Sequence, residues 1–288
     1  MASLLSKLKR ILPGQSEIGW DDPRHPRHAY REVDGPVAML YTTREFPIYF
    51  LSIAKCGCTY MQNLFYYLDT GKLHHDPDNI HDYRGDRQRP VGKSIEDIQD
   101  EEHAFCITRD PAARFMSNYF DKLWNDESHF DFLRDAMLRE PGVVIGPDIS
   151  LEQPRSNCMA FINWLDRNIQ GQTEVEVNRH WVRQQRRQKQ ARALHLKALT
   201  LDGLNWQLPR LIGDVVPDIA ERMAEVKTLN ATKKPFTYDQ ILTPAIRARI
   251  GEVYKGDAWV YNKVRTAWDG VAAGDAGAEI PRLLPPEK

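Results

Sequence analysis

Residues 47–71, PIYFLSIAKCGCTYMQNLFYYLDTG, decide the fold. PIYFLSIA (47–54) is a short apolar run carrying Ile, Tyr and Phe, the signature of a buried strand. KCGCT (55–59) breaks it. YMQNLFYYLDT then continues as an apolar helix, with Gly71 as its stop signal. A strand that enters a helix through a glycine turn points the first backbone amides of the helix at whatever lies above the strand. Those amides and the helix dipole favour an anion. Gly57 permits the tight turn, the amides of Gly57, Cys58, Thr59 and Tyr60 would face the anion, Thr59 adds a hydroxyl donor, and Lys55 adds a full charge. The loop is not a Walker A loop, which requires lysine after the last glycine and directly before Ser or Thr. Here lysine precedes the glycine, and the shorter loop suits one terminal phosphate better than a triphosphate.

Outward from this unit the pattern repeats. Residues 72–93 read as a polar loop containing His74, His75 and His81, and SIEDIQDEE (94–102) as a short helix with a Ser–x–x–Asp start. HAFCITRD (103–110) is a second strand, and Pro111 suits the first turn of the helix AARFMSNYFDKLW. Strand–loop–helix units with apolar strands predict an α/β fold, a P-loop-like parallel sheet flanked by helices. The second half reads as largely helical, with candidates at 128–139, 155–168, 180–199, 207–226 and 243–254. Thr243-Pro244 supplies a cap and a first-turn proline for the last of these. The expected organisation is an amphipathic helix and lead-in over 1–36, one catalytic-size domain over 37–268, and a disordered Gly-, Ala- and Pro-rich tail over 269–288.

The segment Arg109-Asp110-Pro111-x-x-Arg114-x-x-Ser117-x-Tyr119 forms a second candidate anion site. Arg109 stands at the carboxyl end of a strand, where α/β sheets bind ligands. It can hold a phosphate by two parallel bonds, with Ser117 donating a third. The competing role for Arg109 is a buried structural arginine paired with Asp110 or Asp121. Arg114, mid-helix, reads as structural.

The chain of 288 residues has a net charge of −1, which offers no global basic field for nucleic acid. Four cysteines in this length do not make a disulfide scaffold, so the expectation is reduced thiols and a cytoplasmic setting. Cys56-x-Cys58 is too closely spaced for a zinc site, and no metal is expected. No apolar run is long enough to span a bilayer, and MASLLSKLKRILPG lacks a long apolar core and a cleavage site, so no secretory signal is expected. Leu4, Leu5, Leu8, Ile11 and Leu12 share a helical face, which suits either a short docking helix or a weak peripheral membrane contact through residues 1–12. Arg179–Arg192 is strongly basic, and on a helix Arg179, Arg183, Arg186 and Lys189 would share one face. That face is either simply solvated or a receiver of an anionic acceptor or membrane headgroups.

Taken together, K-x-G-x-T after one strand and R-D-P-x-x-R-x-x-S-x-Y after a later one resemble the signature by which sulfotransferases bind 3′-phosphoadenosine 5′-phosphosulfate (PAPS). The likeness is to the carbohydrate branch that includes the chondroitin, dermatan and HNK-type enzymes. Asn178-x-His180-Trp181, Leu229-Asn230-Ala231-Thr232, Tyr254-x-x-Asp257 and Tyr261 follow in order, so the resemblance spans about residues 46–265. It implies a P-loop-like fold and PAPS as co-substrate. By position it implies that Lys55, Gly57, Cys58, Thr59 and Tyr60 hold the 5′-phosphosulfate, that Arg109 and Ser117 hold the 3′-phosphate, and that Lys233 or Lys234 closes over the nucleotide. Two departures stand out: Ala54 replaces a proline, and Leu208-Pro209-Arg210-Leu211 stands where relatives carry an aromatic–acidic pair.

Transfer of a sulfuryl group to a carbohydrate or lipid-headgroup hydroxyl would then follow in-line logic, with catalysis by positioning and charge stabilisation. Lys55 would neutralise the departing bridging oxygen. A hydroxyl acceptor calls for a general base, by default histidine. His81, beside Asp82, is the first candidate and His75 the second; His180 reads as structural, packed with Trp181. The rival readings are a P-loop-type nucleotide kinase, for which the Walker A is absent, and a catalytically inactive PAP-binding scaffold, which could have dropped the charge of Lys55.

Overall fold

The computed structural model describes residues 39–77, 80, 98–124, 130–146, 150–227 and 235–283. Four strands, β1 (Met39–Thr42), β2 (Tyr49–Ser52), β3 (Ala104–Thr108) and β4 (Lys197–Thr200), form one sheet in the order β1-β2-β3-β4. β2, β3 and β4 run parallel, with Phe50 beside Phe105 and Phe105 beside Lys197. β1 is antiparallel to β2, an edge strand not anticipated from the sequence. Every residue of β2 and β3 is buried, as strands covered on both faces require.

The first crossover is α1 (Cys58–Thr70), ended by Gly71 at φ 67°, whose amide donates to Tyr67 O. The second is long. It contains α2 (Pro111–Tyr119), a single π-helical turn (Phe120–Trp124), α3 (Asp131–Leu138), α4 (Glu152–Ile169) and α5 (Gln184–Ala193). After β4 come α6 (Leu204–Ile212), α7 (Ile219–Lys227), α8 (Tyr238–Ile241), α9 (Pro244–Val253) and α10 (Lys255–Ala273). Asp110 caps α2 by accepting from Ala113 N, and Thr243 caps α9 by accepting from Ile246 N, each with proline in the first turn as the sequence indicates.

Three expectations are corrected. The stretch 180–199 is not one helix: α5 stops at Ala193, and Leu196, Ala198 and Leu199 turn to fill the space beside β3 as β4. The stretch 207–226 divides where Gly213 and Pro217 interrupt it. Residues 269–283 are not disordered. α10 runs to a left-handed Gly274, and the following segment then covers the open edge of β4, with Ala198 N donating to Pro281 O and Leu283 N to Leu196 O, both at 2.8 Å. A Gly- and Pro-rich composition reads as disorder, but an open strand edge has amides that need partners, and this segment supplies them.

Two apolar clusters result. One surrounds the sheet, with Phe50, Phe105, Leu199 and Trp268 among its members; the other joins α2, α4 and α9 through Phe115, Phe161, Trp181 and Tyr254.

Candidate active site

The turn after β2 is built from two left-handed residues, Lys55 at φ 65° and Gly57 at φ 81°. Only glycine adopts this region freely, so Lys55 is held there by its surroundings. A Cβ on Gly57 would lie 2.8 Å from Leu201 Cδ1, so the turn packs directly on the chain leaving β4. α1 then starts at Cys58 with no side-chain cap and no acidic residue in its first turn. Its first amides therefore keep the partial positive charge that an anion would meet.

The left-handed backbone directs Lys55 toward the π-helical turn, where its Nζ lies 2.8 Å from Asp121 Oδ2. Lys122 Nζ reaches the same oxygen at 2.9 Å and rests 3.9 Å above the centre of the Phe130 ring. Burial works to raise the Asp121 pKa, and Lys55 and Lys122 outweigh it, holding the carboxyl below its ordinary value. Asp121 is thus a fixed anion and a poor proton acceptor.

Arg109 Nη1 donates to Lys55 O at 2.8 Å, joining the two loops that the sequence marks as anion sites. Its own backbone is clamped by Gln184, whose Oε1 accepts from Arg109 N at 3.1 Å and whose Nε2 donates to Arg109 O at 2.8 Å. Arg114 is structural, as its mid-helix position suggests. It is 3% exposed, and its guanidinium donates to Ala54 O at 3.1 Å and Val182 O at 2.9 Å, with Arg179 O at 3.5 Å. Ser117 is half-buried, six residues along α2 from Pro111.

The later sequence motifs brace the region. Tyr254 OH donates to Trp181 O at 2.7 Å, and Asp257 accepts from the amides of Gln184 and Gln185 at 2.7 and 2.9 Å, tying down the start of α5. Tyr261 OH donates to Asp202 Oδ2 at 2.8 Å, just beyond β4. Trp181 Nε1 donates to Asn168 Oδ1 at 2.7 Å. His180 is half-buried, with Nδ1 2.7 Å from Asn178 Oδ1 and its ring edge-on to Phe130. Burial, and then the charges of Lys122, Arg179, Lys55 and Arg114, push its pKa well below the ordinary histidine value.

The structure therefore gathers Lys55, Gly57, Cys58, Thr59 and Arg109 at the carboxyl ends of β2 and β3. Tyr60 follows Thr59 in α1, and its hydroxyl faces α7, donating to Met223 O at 3.3 Å. His75 is exposed, with its ring 4.4 Å from that of His74. The loop carrying both is tied to α1 by Asn63 Nδ2, which donates to Thr59 O and Pro77 O at 2.9 Å. His81 and Lys233 lie outside the described residues. The basic stretch does not form the single face its spacing suggests. Arg183 precedes α5 and donates to Val253 O, Arg187 is buried, and Arg186 and Lys189 remain exposed. Sequence reasoning offered Asp121 only as a partner for Arg109, missing its pairing with Lys55, and missed Lys122 and Gln184. Asp121 and Lys122 follow the S-x-Y element directly, but only the widened π turn aims them at Lys55, and nothing in their spacing announces it.

Cys56, Cys58, Cys106 and Cys158 are free thiols, and burial pushes the Cys56 pKa up to about 12, which makes it unreactive. Among the described residues, no helix is long and apolar enough to cross a membrane, and no group of three or more His, Cys, Asp or Glu is placed to hold a metal ion. A model of the sulfotransferase family matches residues 39–263, which contain both loops, the π-helical turn and the bracing motifs. No curated protein and no solved structure matches the chain. With two thirds or more of its length covered by that match and the matched region folded around these loops, the chain belongs to the sulfotransferase family.

Proposed function

We propose that this protein transfers a sulfuryl group from PAPS to a hydroxyl of a carbohydrate or lipid-headgroup acceptor. The observation that carries this reading is the 2.8 Å bond from Arg109 Nη1 to Lys55 O, which sets the two candidate anion loops side by side at the ends of neighbouring parallel strands. A nucleotide with separate 5′ and 3′ phosphates fits that pairing better than one with a single phosphate chain. The donor set agrees: an uncapped helix start, a lysine, an arginine and a hydroxyl, with no carboxylate in the helix's first turn.

The 5′ end of the nucleotide would be held by the amides of Gly57, Cys58, Thr59 and Tyr60, the Thr59 hydroxyl and Lys55. Arg109 and Ser117 would take the 3′-phosphate, and Lys233 would close over it. PAPS supplies an activated sulfuryl group on a good leaving oxygen. Lys55 stabilises negative charge growing on that oxygen, and Asp121 holds Lys55 and Lys122 as a preset pair of cations. A proton acceptor is required on the acceptor side. The likeness to the carbohydrate branch favours a glycan hydroxyl, and the exposed Arg179, Arg186 and Lys189 favour an acceptor or acceptor surface with negative charge. A peripheral membrane contact through residues 1–12 would bring a lipid headgroup within reach. The four free thiols favour a reducing, cytoplasmic setting.

Incubation with sulfur-labelled PAPS and panels of glycans and lipids tests the proposal. Label passing to an acceptor with stoichiometric release of PAP is the expected result. Failure to consume PAPS with any acceptor or with water contradicts it.

A further inference from the structure

Resting on the sulfuryl-transfer reading, we propose that His180 is the residue that takes the proton from the acceptor hydroxyl, with Asn178 as its positioning residue. The tautomer follows from the hydrogen bonds. Asn178 Oδ1 accepts from the backbone amide of His180 at 3.0 Å, which identifies the atom facing His180 as the carbonyl oxygen. The same oxygen lies 2.7 Å from His180 Nδ1, so Nδ1 carries the hydrogen and donates. The lone pair is therefore on Nε2, the form a general base needs.

The ring is also fixed relative to Lys55. Arg114 bonds Ala54 O, the residue before Lys55, and spans to Arg179 O and Val182 O on either side of His180-Trp181. Tyr254 pins Trp181 O from below. The imidazole stands edge-on to Phe130 at 5.4 Å between centroids, Lys122 lies over that same Phe130 ring, and Lys122 and Lys55 share Asp121 Oδ2. Arg114 thus links the backbone on either side of His180 to the residue before Lys55, and Asp121, through Lys122 and Phe130, connects the two side chains.

The charged groups facing His180 are Lys55 from the β2 turn, Arg114 and Lys122 with its partner Asp121 from α2 and its π turn, and Arg179 beside it. Burial, and then the four cations, favour the neutral imidazole. An anionic co-substrate would offset these cations and make Nε2 more basic when the acceptor is in place. In the transfer, the acceptor oxygen bonds to sulfur as the bond from sulfur to the bridging oxygen breaks. The hydroxyl proton passes to His180 Nε2, and the electron pair of the broken bond leaves on the 5′-phosphate of PAP, next to Lys55.

The test uses the full chain, with water standing in for the unidentified acceptor. Heteronuclear NMR of the histidine rings should show His180 as the Nδ1–H tautomer with a titration midpoint below that of an ordinary histidine. His180→Gln should lower the rate of PAPS hydrolysis by about 10²-fold while leaving PAP affinity within about two-fold of wild type. Asn178→Asp places a negative partner on Nδ1 and should move the acid limb of the pH–rate profile to higher pH, a shift that a purely structural residue would not produce. An Nε2–H tautomer, or His180→Gln hydrolysis at the wild-type rate while His81→Ala or His75→Ala abolishes it, overturns the proposal. Failure of the wild-type protein to bind PAP overturns the sulfuryl-transfer reading itself, and this proposal with it.

Discussion

Lys55 Nζ lies 2.8 Å from Asp121 Oδ2, a contact made across 66 residues of sequence by a lysine whose backbone is held at φ 65°. The side chain most suited to meet a departing oxygen is thus parked on a carboxylate in a left-handed turn. If Lys55 acts on the transition state, Lys55→Ala should lower kcat more than it raises the KM for PAPS. Steady-state kinetics with varied PAPS checks this. A variant that loses affinity alone would make Lys55 a binding residue.

Asp121→Asn leaves Lys55 and Lys122 facing each other without their shared anion. The cost should be about 1–3 kcal/mol of stability, the range for removing the partner of a charged hydrogen bond, here at a half-buried carboxylate. The sign with pH follows from the depressed carboxyl pKa. The contribution of Asp121 is complete above its unfolded-state value, about 3.9, and is lost as pH falls through the lower folded-state value. Denaturant melts of wild type and variant should therefore differ by a constant amount at neutral pH and converge below about pH 4. A difference that grows on acidification contradicts the assignment.

Arg114→Lys should destabilise the fold by about 2–4 kcal/mol, because lysine cannot bond the carbonyls of Ala54, Val182 and Arg179 from one planar group. The same variant should weaken PAP binding, since the turn before Lys55 loses its anchor. Chemical denaturation and calorimetry measure the two effects, and an unaffected melting curve would remove Arg114 from the framework.

The strand–turn–helix unit at 47–71 and the R-D-P element were legible because backbone conformation there is set by local residues: Gly57 and Gly71 for left-handed turns, and Asp110-Pro111 for a capped helix start. β4 and the strand-like pairing of residues 281–283 were not legible, because the edge of β3 and then that of β4 decide them through partners distant in sequence. In the site the same division holds. Lys55 and Arg109 stand at strand ends and announce themselves. Asp121 is aimed by a π turn and Gln184 by Asp257, and neither has a periodic signal. From sequence His180 reads as packing beside Trp181, a core residue. What distinguishes it is the Asn178 bond and the cations around it, which only the folded chain brings together.

Arg109→Ala should weaken PAP binding by about 1.5–3 kcal/mol, roughly 10- to 150-fold, the scale of a charge-assisted hydrogen bond. AMP, which lacks the 3′-phosphate, should lose less than PAP does, its loss coming only from the freed Lys55 carbonyl. Equal losses for AMP and PAP would assign Arg109 to the other end of the nucleotide.

If the two adjacent loops anchored on Lys55 and Arg109 bind a nucleotide carrying separate 5′ and 3′ phosphates, loss of the 3′-phosphate must weaken binding. Titration calorimetry of the wild-type protein with PAP and with AMP, without added divalent cation, tests it most directly. The predicted result is a PAP Kd in the micromolar range or tighter, about −8 kcal/mol, with AMP at least about ten-fold weaker. Equal affinity for the two nucleotides, or no binding of PAP, would contradict it.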